Sequence, residues 1–152
     1  MKSKKLRILL VEDNPDDVLI AERSLMKGAM KDRSELFVVR DGQEALDFLN
    51  HHGTHQGAPR PDLILLDLKL PKVNGHEVLA EIKSNDSLRR IPVIVMTVSE
   101  REEDMVKAYN SGASGYITKP PSSAEFSKVI ETVLDYWRIS ELPSEAGSSV
   151  GV

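Results

Sequence analysis

Two adjacent acids, Glu12 and Asp13, close the apolar run Leu6-Arg-Ile-Leu-Leu-Val11, and two more, Asp16 and Asp17, come close behind. Carboxylates crowded at one strand end repel one another and raise each other's pKa unless a cation or hydrogen-bond donors balance them. The chemistry expected at this point is therefore binding of something that supplies positive charge. Other reactive side chains also stand where apolar runs stop. Asp67 follows Leu63-Ile-Leu-Leu66, Thr97 follows Val93-Ile-Val-Met96, and Lys119-Pro120 follows Gly115-Tyr-Ile-Thr118. Three acids, one hydroxyl and one ammonium would share one shallow pocket if all these ends pointed the same way.

The order of elements makes that arrangement possible. The near-continuous Val, Ile and Leu runs at 6–11, 36–39, 63–66 and 93–96 have the composition of parallel strands covered on both faces, and 115–118 is a fifth, weaker run. Helices are predicted between them. Asn14 is a cap, Pro15 suits the first helical position, and Asp16 and Asp17 sit where a helix dipole favours negative charge. Asp41 caps a second helix, Gly75 to Ser84 forms a third, and Ser99-Glu-Arg-Glu102 and Ser122-Ser-Ala-Glu125 both fit the capping box. The last helix carries Phe126, Val129, Ile130, Val133, Leu134 and Trp137 at amphipathic spacing. Five strand–helix pairs imply right-handed crossovers and an α/β parallel sheet, and the expected arrangement is the flavodoxin-like (βα)5 doubly wound sheet of strand order 2-1-3-4-5. In that order ligands bind at the carboxyl ends of strands 1 and 3, where the topology switches.

Size and composition fit this reading. A chain of 152 residues accommodates one domain with a substantial core and is short for two. With 29% charged residues and a net charge of -4, it has no overall attraction for nucleic acid or an acidic membrane. The absence of cysteine excludes disulfides and thiolate zinc sites. No apolar run reaches membrane-spanning length, so the cytoplasm is the expected location. Met1-Lys-Ser-Lys-Lys-Leu-Arg7 reads as a solvated lead-in, and His51, His52 and His55 fall in a long polar loop, where exposure is expected instead of metal ligation. The stretch Gly112-Ala-Ser-Gly115 reads as a turn.

The residues Val11-Glu-Asp13, Leu65-Leu-Asp-Leu-Lys-Leu-Pro-Lys-Val-Asn-Gly75, Val93-Ile-Val-Met-Thr97, Gly112-Ala113 and Tyr116-Ile-Thr-Lys-Pro120, in this order and spacing, resemble the receiver domain of two-component response regulators. The resemblance runs from Leu6 to about Trp137. It implies a receiver domain over residues 1–137, and the turn to Ser, Gly, Glu and Pro after Arg138 predicts a flexible tail over 138–152. It also implies that Asp67 accepts a phosphoryl group from a phosphohistidine on a partner histidine kinase. Mg2+ would be held by Asp13, Asp67 and the backbone carbonyl of Lys69, with Glu12 on a coordinated water. Lys119 would pair with the phosphoryl group ahead of a cis bond to Pro120. Thr97 and Tyr116 would form a switch in which the Thr97 hydroxyl binds the phosphoryl oxygen and Tyr116 turns from exposed to buried, changing the face of helix 4, strand 5 and helix 5. Two positions depart from the commonest pattern: Val98, where many receivers have Ala or Gly, and Lys69, whose side chain can approach the site.

A narrower likeness, carried by Glu12-Asp-Asn-Pro-Asp16, Leu70-Pro-Lys72, Leu88-Arg-Arg-Ile-Pro92, the loop before strand 3 and Tyr136-Trp137, is to the small response regulators paired with bacterial phytochromes. It implies a phytochrome-type histidine kinase as donor and a homodimer to which Tyr136, Trp137 and Ile139 would add apolar surface. With little chain beyond the last helix, the expected output is contact with a partner, as in a stand-alone regulator that is a phosphoacceptor and not an enzyme. Two alternatives are weaker. An FMN or nucleotide binder needs phosphate-cradling amides after strand 1, where this chain has carboxylates. An aspartyl phosphohydrolase of the haloacid dehalogenase kind requires Asp-x-Asp, and Lys69 occupies the second position.

Overall fold

In the computed structural model of the chain, which describes residues 5–27 and 32–143, strands and helices alternate throughout. The order is β1 (Leu6–Val11), α1 (Pro15–Leu25), β2 (Ser34–Val39), α2 (Gly42–Asn50), β3 (Leu63–Leu66), α3 (Gly75–Ser84), β4 (Val93–Thr97), α4 (Glu102–Asn110), β5 (Gly115–Thr118) and α5 (Ser123–Ile139). All strand pairs are parallel and the sheet order is β2-β1-β3-β4-β5, as the sequence predicts.

Alternating side chains of each strand enter two different cores. Leu9, Val11, Ile64, Leu66, Val93 and Val95 face α2 and α3, while Ile8, Leu10, Leu63, Leu65, Ile94 and Met96 face α1 and α5. Both faces of the central strands are thus apolar, which is why their sequences read as unbroken hydrophobic runs. On α5, Phe126, Ile130 and Leu134 are buried and Val133 and Trp137 pack beside them, as the amphipathic spacing requires.

Most helix starts match their predicted caps. Asn14 accepts hydrogen bonds from the amides of Asp16 and Asp17, Asp41 from Glu44, and Ser122 from Glu125. Helix α4 departs from expectation. It begins at Glu102 with Arg101 at the N-cap and no side-chain cap, whereas the sequence places its start at Ser99. The Ser99 hydroxyl donates to Asp104 at 2.6 Å and accepts from the Arg101 amide at 3.3 Å, closing a turn ahead of the helix instead of capping its first-turn amides.

Two other expectations need adjustment. His51 and His52 are exposed, but His55 is half-buried, with its ring 5.3 Å from that of Phe48 and Nε2 3.1 Å from Glu44. An acid and an aromatic on α2 together draw it out of solvent. At the other end, α5 continues through Arg138 to Ile139, and Leu142 packs against the α1/α5 core, so the ordered fold passes the boundary expected at 137. The rest of the expected tail, 144–152, and the first four residues of the basic lead-in lie outside the described residues.

Helix α3 starts close against the end of β3. The Gly75 amide donates to the Leu68 carbonyl at 2.9 Å, and a Cβ at Gly75 would lie 2.3 Å from the Asp67 carbonyl oxygen and 2.5 Å from Leu68 Cα. Backbone atoms cannot yield as a flexible side chain would. Gly75→Ala is therefore expected to cost about 2 kcal/mol of stability, within the range of overpacked sites, and to displace the Asp67 loop. Urea denaturation measures the first effect and amide chemical shifts of residues 66–70 the second.

Candidate functional site

The parallel sheet carries each predicted residue to one edge by extending its ladder just beyond the strands. The Glu12 amide donates to Val39, the Asp67 amide to Val11 and the Lys119 amide to Thr97, at 3.0, 3.1 and 2.7 Å. These bonds fix the backbone from which the reactive side chains project. Glu12, Asp13 and Asp67 each offer a carboxylate oxygen, and the three oxygens lie within 4.8 Å of one another. Glu12 and Asp67 are buried at 3% and 7% exposure, and Asp13 is open to solvent.

Lys119 reaches into this cluster. Its Nζ lies 2.7 Å from Glu12, 2.7 Å from Asp17 and 3.3 Å from Asp67, with the side chain 6% exposed. Burial works against the charge on Lys119, but hydrogen bonds to Asp17 and Glu12 and the charge of Asp67 outweigh it and push the ammonium pKa up. Glu12 is pushed up to about 7, chiefly by burial and further by the charge of Asp67; the hydrogen bond from Lys119 opposes this. One ammonium thus faces three carboxylates, with Asp13 a fourth acid in the cluster. Oxygen donors with excess negative charge, one of them open to solvent, suit a hard divalent cation that keeps part of its water shell.

The expected cis bond is not found. The bond between Lys119 and Pro120 is trans, and no cis peptide occurs among the described residues. Cis and trans forms before proline differ by only about 0.5–1 kcal/mol, so the surroundings choose. Here the trans chain places both the Lys119 amide on Thr97 and its Nζ in the acidic cluster.

Thr97 is fully buried and its Oγ1 accepts from the Ser99 amide at 3.4 Å. Tyr116, expected to be exposed before any modification, is already half-buried, and its hydroxyl donates to the Ser99 carbonyl at 3.0 Å. The Ser99 carbonyl supplies an acceptor and the α3 side of the core supplies apolar contact, so the inward position is satisfied as it stands. Ser99 also donates to Asp104, whose other oxygen meets His76 Nε2 at 3.0 Å. Those hydrogen bonds, from Ser99 first and His76 second, hold the Asp104 carboxyl below its ordinary range. The side chains of Val98 and Lys69 both point to solvent.

Asp17 is the site residue that sequence reasoning missed. Its position in the first turn of α1 has a sufficient explanation in the helix dipole, which concealed its contact with Lys119. The available signal was its place in the first turn of α1, directly after the acids that close β1.

Comparison with known proteins finds similar chains and folds. The response regulator receiver domain family matches residues 8–131. Response regulator Rcp1 of Synechocystis sp. strain PCC 6803 is 42% identical over 130 residues, covering 86% of this chain and 87% of that protein. Among solved structures, the phosphorylated cyanobacterial phytochrome response regulator RcpA superimposes with a TM-score of 0.88 at 40% identity, over 92% of this chain and 99% of that one. The Mn2+-bound form of Rcp1 superimposes with a TM-score of 0.86 at 40% identity, over 91% and 99%.

The raised pKa of Glu12 has a measurable consequence. The folded chain holds this proton up to about pH 7, whereas the unfolded chain loses it near 4.5. Because the folded state binds more protons in that window, each rise in pH through it destabilises the fold at this position. Thermal melts in chelator are expected to show this loss between those two values, and Glu12→Gln should remove it. Identical pH profiles for the two proteins would show that Glu12 ionises normally.

Proposed function

Because the chain belongs to the response regulator receiver domain family, we propose that Asp67 is its phosphoacceptor and that the cluster around it is the phosphorylation site. The observation that carries this is the meeting of Glu12, Asp13 and Asp67 within 4.8 Å, with Lys119 Nζ 3.3 Å from Asp67. An Asp67 Oδ atom attacks the phosphorus of a phosphohistidine on the donor kinase. The P–N bond breaks, the imidazole leaves, and an acyl phosphate forms on Asp67.

The other residues balance charge and hold position. Glu12 and Asp13, with Asp67 and the Lys69 carbonyl, would hold Mg2+, which when bound neutralises charge on the phosphoryl oxygens. The hard oxygen donors and the solvent-open Asp13 fit that ion. Lys119 supplies a compact positive charge to a phosphoryl oxygen. The Thr97 Oγ1 accepts from the Ser99 amide and keeps its own proton to donate, so it can bond a phosphoryl oxygen. Drawing Thr97 forward pulls on Ser99, and the Ser99 carbonyl holds Tyr116. The modification, adding a charge of about -1.5 to -2, thereby tightens Tyr116 in its inward position and reshapes the α4-β5-α5 face.

The donor is a histidine kinase, and we assign it to the phytochrome type from the names of the similar regulators and the sequence features at 12–16, 70–72 and 88–92. Tyr136 and Ile139, 59% and 65% exposed on α5, support a homodimer. No described helix is long and apolar enough to cross a membrane, and the net charge of -4 gives no pull toward nucleic acid, in keeping with a protein-binding role in the cytoplasm. A phosphohydrolase reading lacks its acid/base partner, since Lys69 is solvent-facing two positions after Asp67.

Incubation with Mg2+ and acetyl phosphate is expected to give a single phosphoryl adduct by intact mass. The adduct should vanish in Asp67→Asn and in chelator, and its persistence in Asp67→Asn would place the phosphoacceptor elsewhere. Transfer from a panel of autophosphorylated histidine kinases should be fastest from a phytochrome-type donor; clear preference for a kinase without a photoreceptor would overturn that assignment.

A further inference from the structure

The Lys119 ammonium has three N–H donors, and the structure aims them at Glu12, Asp17 and Asp67. The contacts to Glu12 and Asp17 are both 2.7 Å, whereas that to Asp67 is 3.3 Å. Charge-assisted N–H···O bonds favour about 2.7–2.9 Å, so the weakest of the three is the one to the phosphoacceptor. Glu12 and Asp67 belong to the group of acids able to hold a metal ion, and Asp17 stands outside it. Its side chain is 19% exposed and turned toward the end of β5. The adjacent Asp16, on the same helical turn, is exposed and serves the helix N-terminus from solvent.

A cation and an ammonium compete for the same oxygen lone pairs. With only Glu12 and Asp67 before it, Lys119 would close on both and cover the carboxylate that must accept the cation and attack phosphorus. A third acid on the α1 side changes that balance. We propose that Asp17 is a positioning residue that draws the Lys119 ammonium toward α1 and keeps the Asp67 carboxylate open to a divalent cation and the incoming phosphoryl group. This rests on the assignment of Asp67 and Lys119 made above.

The test is a Mg2+ titration of the full chain by isothermal calorimetry, with Asp17→Asn, Asp17→Ser and Asp16→Asn beside the unsubstituted protein. Removing one charged hydrogen bond from Lys119 is expected to weaken Mg2+ binding about tenfold in both Asp17 variants. Asp16→Asn removes the same charge from the same turn without touching Lys119 and should stay within about twofold. The Ser variant, favourable near a helix start, supplies the measurement if the Asn variant does not fold. Unchanged affinity in the Asp17 variants, or an equal loss in Asp16→Asn, would overturn the role of Asp17. Failure of the unsubstituted chain to bind Mg2+ would instead overturn the reading of the whole cluster, and the role of Asp17 with it.

Discussion

The structure depends on keeping one ammonium and several carboxylates together at the edge of an apolar sheet. Lys119 and Glu12 have only 6% and 3% of their side chains exposed, a burial that would be prohibitive for either charge alone. Each is tolerable because the other is 2.7 Å away and because Asp17 and Asp67 complete the set. Such an arrangement is poised, since every member holds the others in place and an arriving anion or cation must redistribute them. The raised pKa of Glu12 expresses the cost of that burial, which the hydrogen bond from Lys119 only partly offsets and to which the charge of Asp67 adds.

That cluster is only as well placed as the backbone beneath it. The ends of β1, β3 and β5 and the first turn of α1 deliver its members, and the ladder bonds from Glu12, Asp67 and Lys119 to neighbouring strands remove the freedom a loop residue would have. The two cores, one on each face, hold β1, β3 and β4 rigidly, and Gly75 lets α3 begin against the Asp67 carbonyl. The β4–α4 segment is held differently. Ser99 joins Thr97, Tyr116, Asp104 and, through Asp104, His76, so polar bonds add to the packing of this segment.

Much of the architecture was legible in the sequence because parallel strands buried on both faces leave unbroken apolar runs. The runs ending at Val11, Leu66 and Met96 are of this kind, and the acids and hydroxyl next to them were conspicuous for that reason. Caps at Asn14, Asp41 and Ser122 were also readable, since each uses only local atoms. The features that escaped were contacts that the local pattern does not announce. Ser99 looks like a cap until Asp104 takes its hydroxyl, His55 looks solvated until Phe48 and Glu44 approach, and Asp17 looks like a dipole residue until Lys119 arrives from the far side of the chain. In each case a satisfactory local role hid a partner that only the fold supplies. The isomer before Pro120 was unreadable for another reason: the two forms are so close in energy that local sequence does not decide between them.

At the start of α4 a row of amides is left without a capping side chain. α1, α2, α3 and α5 each have a side chain accepting from their first turn, and α4 has none. A missing cap is worth about 1 kcal/mol, and Glu102, Glu103 and Asp104 offset part of it through the dipole. The first turn of α4 therefore relies on Asp104, whose carboxylate meets both Ser99 and His76, in place of a cap. Because Asp104 ties that turn to Ser99, the helix that presents the exposed Val106 and Tyr109 is anchored at its start to the segment that follows Thr97.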